Sequence, residues 1–364
     1  MEFDIYSTHF MEALIREKPT VYTFLRDRYF GVTPEIFKTE TVFADYDDGE
    51  GNQLAPFVIP QIGKVPMDRT GYETRELSPA NIAPSRPLTV DNLKKRMAGE
   101  SLVSTMTPAQ RERFYLVSDL AFLDRSVTRS EEYMCAQTML DNACEIEHIG
   151  DKENKGKKFT ACFHDKDSNP GVFNPGEKWA VGTANKRGTW YNAVCRQAED
   201  LMDSGRTVTD LVVGPEVGEM IQNDPWVIAM ADNRRINLVT VDPRWKENGV
   251  VSLGPMNFGG VLLDVMIYRG SYQEKDKQTK KLTTKAYFPA KGALLAAPNT
   301  GKLRYGAVTQ VEMDSKTYTR TGRRIPKHNV NVDANLKETI MTARPLAAPI
   351  MKSPWRACRD VFTV

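Results

Sequence analysis

Apolar side chains between Thr107 and about residue 143 recur with a helical period. Leu116, Leu120, Leu123, Val127 and Met134 share one face, against Arg111, Asp119, Arg125, Arg129 and Glu132 on the other. Thr107 supplies an N-cap and Pro108 the first helical position, so the spacing predicts one helix over 107–143, long for a globular protein. The period then drops to two. "CEIEHIG" and "KKFTACFH" alternate as strands, and the charged "DKENKG" between them predicts a hairpin. From about residue 188 the texture becomes α/β. "TWYNAVCRQAEDLMDSG" reads as an amphipathic helix ending at Gly205, "TDLVVG" as a short buried strand, and "PEVGEMIQ" as a helix opened by Pro215. "DPWVIAMADNRR" predicts another helix, "INLVTVDP" and "GGVLLDVMIYRG" predict strands, and the lysine-rich "QEKDKQTKKLTTK" predicts a solvated hairpin tip. Residues 292–364 alternate short strands with turns and end in "WRACRDVFTV".

Two segments fit this scheme poorly. Residues 10–30 carry Phe10, Leu14, Tyr22, Phe24, Leu25, Tyr29 and Phe30 among charges, which predicts one or two short helices broken at Pro19 and laid on other structure. Residues 49–106 hold Pro56, Pro60, Pro66, Pro79, Pro84 and Pro87, too many for a long helix. They also hold Phe57, Val58, Ile59, Ile62, Val65, Tyr72, Leu77 and Ile82, too apolar a set for a flexible linker. Two extended arms, about 54–67 and 77–93, joined by the polar tip "DRTGYETRE", satisfy both constraints. Each arm would span ~45–55 Å, and a ribbon of that length is marginal alone in water. It calls for a surface outside the subunit's own core, most economically a neighbouring copy. The alternative is a strand pair folded back on its own domain.

Composition narrows the function. The 364 residues carry 49 Lys and Arg against 47 Asp and Glu, a formal charge of +2, which lacks the basic excess of a dedicated nucleic-acid binder. Five scattered cysteines (Cys135, Cys144, Cys162, Cys195, Cys358) read as reduced thiols, and neither a secretory signal nor a membrane-length apolar run is present, so a cytoplasmic setting is expected.

A search for chemistry finds little. "VVGPEVGEM" lacks the Lys-Ser/Thr of a phosphate loop, and Gly214 and Gly218 read as a strand-to-helix turn and a close packing contact. Cys144, His148, Cys162 and His164 could converge on a zinc ion across the hairpin. Residues i and i+4 on a strand stand roughly 13 Å apart, however, too far to share one ion without a bulge. His9, His148, His164 and His328 are the whole histidine complement, and none sits in a nucleophile context. The adjacent acids Asp47–Asp48 and Glu131–Glu132 read as solvated turns or helix faces. The basic run "RTGRRIPKH" could touch phosphate or simply blunt a sheet edge. No enzyme, cofactor or metal is expected.

From residue 283 onward, "TTKAYFPAKGALLAAPNTGKLRYGAVTQVE" and "LKETIMTARPLAAPIMKSPWRACRDVFTV" resemble the C-terminal half of the E family of phage major capsid proteins, the family of the phage lambda major head protein. "PTVYTFLRDRYFG" resembles its N-terminal arm, the Pro-rich stretch its extended loop (E-loop), and "TPAQRERFYLVSDLAFLDRSVTRSEEYMCAQTML" its long helix; residues 150–200 match least. The likeness runs through nearly the whole chain in order. It implies an α+β Hong Kong 97-type capsid fold with five parts. These are an arm and lead-in at 1–48, an E-loop at 49–106, a peripheral domain with spine helix and hairpin at 107–187, an axial domain at 188–340, and a C-terminal strand at 341–364 returning to the peripheral domain.

The implied function is a major capsid protein that self-assembles, as hexamers and pentamers, into the icosahedral head of a tailed bacteriophage around double-stranded DNA. The implied partners are further copies of itself, a separate scaffold (no additional helical region precedes the arm), a portal, a possible decoration protein and non-specifically contacted DNA, with no membrane. Intersubunit contacts are expected through Phe24, Leu25, Tyr29 and Phe30 of the arm and Arg69, Tyr72 and Arg75 of the E-loop tip. Lys64 lies on the E-loop, but no Asn partner is evident, so no covalent crosslink is expected. An encapsulin-like nanocompartment shell, a minor virion protein, and a zinc-dependent soluble enzyme using the Cys/His hairpin are the competing readings.

Overall fold

The computed structural model describes residues 21–31, 33–47, 57, 67, 72–95, 106–147, 158–163, 171–231, 244–246, 249–275, 281–311 and 315–362. The expected strand at 236–243, the hairpin turn after Glu147, His9 and the segment before residue 21 lie outside these residues.

A short helix, α1 (Phe24–Tyr29), leads into β1 (Glu35–Ile36) and β2 (Val42–Asp47), and β2 pairs antiparallel with β3 (Tyr72–Leu77). This pairing corrects the sequence reading, which put Tyr72 and Arg75 on a turn. Residues 72–77 are themselves a strand, in register Val42↔Leu77 and Ala44↔Arg75. Exposed Thr74 and Glu76 alternate with half-buried Arg75 and Leu77, a period-two pattern hidden by the charges.

Next come β4 (Ser85–Thr89) and the single-turn helix α2 (Val90–Lys94). The second expected arm is therefore tied to its own chain. β4 pairs with the strand at Leu336–Thr342, and Ile82 bridges to Ala343.

Helix α3 (Pro108–Asp141) has 34 residues, about 50 Å at the standard rise. Thr107 and Gln110 close a capping box at its start, with Gln110 N donating to Thr107 Oγ1 at 3.4 Å and Thr107 N to Gln110 Oε1 at 2.8 Å. Asn142 in the left-handed conformation (φ 51°) ends it. Leu123, Val127 and Met134 of the expected stripe are buried, whereas Leu116 stays 39% exposed, because the first turns of α3 project beyond the main core. The hairpin of β5 (Ala143–Glu147) and β6 (Lys158–Cys162) forms where the alternation placed it.

The α/β part starts with α4 (Thr189–Asp203), β7 (Asp210–Val213), α5 (Pro215–Gln222) and α6 (Pro225–Ala231). β8 (Arg244–Lys246), β9 (Val250–Phe258) and β10 (Val261–Tyr268) follow, then the hairpin of β11 (Ser271–Lys275) and β12 (Leu282–Ala286). The remaining strands are β13 (Ala293–Ala296), β14 (Gly301–Tyr305), β15 (Val308–Val311), β16 (Thr317–Arg320), β17 (Ile325–Asn331), β18 (Leu336–Thr342), β19 (Pro345–Pro349) and β20 (Arg356–Cys358).

Six strands form one sheet in the order β20-β13-β7-β10-β9-β8, with β7 and β10 parallel. Both faces are covered, which is why "DLVV" and "ALLA" are apolar without alternation. Leu211, Val213, Val265, Ile267 and Leu295 face α4, α5 and their neighbours. Val212, Met266 and Leu294 face a second core shared with α1 and the end of α3. The strand at 356–358 joins this sheet beside β13, where buried Trp355 and Ala357 complete its edge, and Arg359 just after it bonds Asp141 of α3. Also within residues 341–364, β19 meets α3 through small residues, and Thr138 Oγ1 donates to Ala347 O at 3.1 Å.

Gly214 and Gly218 are packing glycines. Gly214 has an ordinary φ of −71°, but a Cβ there would lie 2.2 Å from the Pro289 carbonyl oxygen, and one at Gly218 would lie 2.5 Å from Ile267 Cδ1. Replacing Gly214 with Ala should therefore lower stability by roughly 1–3 kcal/mol. Gly322→Ala, where the nearest atom is 3.8 Å away, should be near neutral; paired thermal melts check the contrast.

Candidate functional site

The chemistry-bearing side chains gather where α3, α1 and the six-stranded sheet meet. Helix α1 is only six residues long and its N-cap, Thr23, makes no side-chain cap bond. Its free backbone donors are taken by a residue far along the chain instead. Leu25 N and Arg26 N each donate to Glu132 of α3 at 2.9 Å, one to each carboxylate oxygen, and Tyr268 OH donates to Oε1 at 2.7 Å. A carboxylate at a helix start serves as cap and as counter-charge to the helix dipole.

The neighbouring Glu131 turns to other elements. Tyr305 OH donates to Oε1 at 2.6 Å, and Arg324 reaches both oxygens at 2.5 and 3.0 Å. Arg26 approaches Oε2 at 3.2 Å and Arg323 at 3.4 Å. Neither glutamate has exposed surface, so the solvated-face reading of this pair is corrected. Glu131 lies four residues after Val127 and eight after Leu123, on the apolar stripe itself, and that placement is the signal that marks it as buried.

The two carboxyls differ electrostatically. Burial pushes Glu131 up, but the hydrogen bonds and charges of Arg324, Tyr305 and Arg323 outweigh it and hold the group below the usual range. Burial dominates at Glu132 and raises it to about 7, against the bonds from Arg26 N, Tyr268 and Leu25 N. A third buried acid, Asp210 at the start of β7, takes Arg28 bidentately at 2.5 and 2.8 Å and Tyr29 OH at 3.0 Å. Helix α1 is thereby fastened to α3 on one side and to the sheet on the other.

This fastening changes the role of the arm aromatics. Leu25 and Tyr29 have no exposed surface, Phe30 has 1% and Phe24 has 8%. Phe24 packs at a tilt against Tyr268 with ring centroids 5.4 Å apart, and Phe30 against Trp355 at 6.0 Å. The side chains expected to meet neighbouring copies are thus spent in the chain's own core, because the arm doubles back as a helix. Of the E-loop set, Arg69 lies outside the described residues, as do Lys64, His148 and His164; Tyr72 sits on β3; and Arg75 makes a long 3.5 Å contact with Cys162 O.

The hairpin register also removes the zinc arrangement. Cys162 is opposite Ala143, and Cys144 opposite Ala161, so the two cysteines point to opposite faces. Cys144 is buried, and that burial pushes its thiol up to about 12. Among the described residues no group of three or more His, Cys, Asp or Glu could hold a metal ion, and no helix is long and apolar enough to cross a membrane.

Two outcomes follow from the paired carboxylates. Glu131→Ala leaves Arg324 facing a void and should cost about 3–5 kcal/mol in chemical denaturation. For Glu132 the folded value lies above the ordinary 4.5. Its contribution is therefore complete below pH 4.5 and is lost as pH rises through about 7. Wild-type stability should fall by about 3 kcal/mol more than that of Glu132→Gln between mildly acid and alkaline pH, read from melts across that range.

The comparisons agree with this architecture. The family described as phage major capsid protein E matches residues 7–353. No curated protein sequence matches significantly. Among solved structures, a protein ascribed to the capsid of an E. coli CFT073 prophage superposes with a TM-score of 0.58 at 15% identity, covering 97% of this chain and 98% of that one. The mature capsid of bacteriophage PhiM1 gives 0.40 at 10% identity over 98% and 90%. An encapsulin complex from Synechococcus elongatus PCC 7942 gives 0.41 at 10% over 100% and 99%. The chain belongs to the phage major capsid protein E family, and with its Hong Kong 97-type fold it is a shell-building virion protein rather than an enzyme.

Proposed function

We propose that the chain builds the head as hexamers and pentamers, with residues 49–106 acting as an E-loop that lies over an adjacent subunit. The observation that carries this reading is the exposure of large apolar side chains on that segment. Phe57 is 94% exposed and Met67 49%. Exposed apolar surface of this kind belongs against a partner. The strands β2 and β3 that flank residues 48–71 pair with each other, and β4 is held by β18, so both ends of the segment are tied to their own chain. Arg69 and Tyr72 are the polar contacts we assign to that interface; Arg75, held toward β6, serves as its support.

Assembly proceeds, on this proposal, in the host cytoplasm with a separate scaffold and around a portal, and a decoration protein binds the finished lattice in some settings. Each intersubunit contact can be weak, since closure of the shell multiplies it. Interfaces with two packings allow expansion as DNA enters, without refolding of the subunit. The arm anchors argue that α1 travels with its own subunit during such a change, because three buried carboxylates would have to be uncovered to release it.

Negative-stain electron microscopy of the protein expressed alone and with candidate scaffold genes tests the reading. Closed shells, tubes or hexameric sheets are expected; a monodisperse monomer under both conditions refutes it. Phe57→Asp should abolish or slow assembly while leaving the subunit's melting temperature unchanged. A denaturing gel of mature shells should show single-chain bands, whereas an isopeptide-linked ladder would make Lys64 a crosslinking residue.

A further inference from the structure

The N-terminal half of α3 carries a face that its own chain leaves uncovered. Arg113, Leu116, Val117, Ala121 and Asp124 are all exposed, Val117 at 69%, and Leu120 among them is half-buried. The other side of the same turns is occupied. Asp119 is buried against Arg86 of β4, and Leu123 and Val127 pack with Met341 and Ala343. The far half of α3 is locked into the subunit through Glu131 and Glu132, so this apolar stripe is held out in one orientation, the arrangement of a contact surface.

The charges at its two ends identify the partner. Arg113 and Asp124 are separated by about three turns, so they share one side of the helix roughly 16–17 Å apart, with the apolar positions between them. A face that is basic at one end and acidic at the other complements itself when turned end for end. In an antiparallel pair of these helices with its twofold axis between Ser118 and Asp119, Arg113 of each copy meets Asp124 of the other. Leu116 then meets the small Ala121, and Val117 meets Leu120. Both charges have capacity to spare. Among the described residues Arg113 makes no ion pair or hydrogen bond. Asp124 gives Oδ1 to Arg324 at 2.7 Å, leaving Oδ2 unbonded on a side chain that is 53% exposed.

We propose that this face of α3 docks on the same face of a second copy, antiparallel and about a twofold axis. The proposal rests on the reading of the chain as a shell builder, which supplies the second copy. A contact of so few residues is weak alone, and closure of the shell multiplies it.

The test is crosslinking of the concentrated full chain with a short bismaleimide, read on a denaturing gel. Val117→Cys should give a covalent dimer well above wild type, whose half-buried Cys162 and Cys195 set the background. With that cysteine in place, Arg113→Glu or Asp124→Lys alone makes both end pairs repulsive and should weaken dimerisation about tenfold. An equal mixture of the two variants restores opposite charges at both ends and should recover the yield. Arg113→Glu decides the matter by itself where Asp124→Lys, beside Arg324, lowers the melting temperature. No dimer from Val117→Cys, or a yield that neither charge change moves, overturns the pairing. So does a crosslink from Val117→Cys to Phe57→Cys of another copy in place of its own counterpart, which gives the face to the E-loop. Shells that assemble without the crosslink overturn this contact and leave the shell reading standing; crosslinked dimers that never close into shells do the reverse.

Discussion

Two adjacent carboxylates buried in the middle of a long helix set the constraints for the rest of the molecule. Taking one ionised carboxylate out of water costs several kcal/mol, recovered only when its oxygens are fully engaged. Glu131 meets that demand and Glu132 meets it in part, by recruiting donors from four separate parts of the chain: the start of α1, Tyr268 on β10, Tyr305 on β14 and the arginines before β17. Each recruited element gains a fixed position relative to α3.

Asp210 repeats the device at the sheet. Its clamp on Arg28 and Tyr29 holds α1 against the start of β7, so the same six-residue helix is gripped from both sides. The six-stranded sheet is then covered on one face by α4 and α5 and on the other by α1 with the C-terminal part of α3. Polar interactions give this arrangement its specificity, because an apolar helix of six residues could slide or rotate on such a surface, whereas three hydrogen-bonded acids admit one placement.

A shell protein needs a subunit that stays rigid while its contacts change. The rigid part here is the block locked by these acids. The parts offered outward are those that the lock does not reach, namely the first turns of α3 with exposed Val117 and the segment carrying Phe57 and Met67.

Much of this was legible from local pattern. The period of 3.6 from Leu116 to Met134, Thr107 with Pro108, the alternation on either side of "DKENKG", and the packing glycines at 214 and 218 each report a local geometry that the chain carries wherever it folds. Resemblance to a capsid family added the shell function, which no local pattern contains. The strand at 72–77 was hidden because its inner face is made of Arg75 and Leu77 rather than two apolar residues. The arm aromatics were correctly marked as needing cover, but nothing in their spacing says whose surface supplies it. Glu131 and Glu132 looked solvated since a charge is read as exposed until its partners are known, and those partners lie 105 or more residues away. The sequence by itself thus determined the elements and the apolar faces that had to be buried, both properties of neighbouring residues. Only the tertiary structure decided which carboxylates are buried and which arginines turn inward, because the energy of a charge depends on everything around it in space.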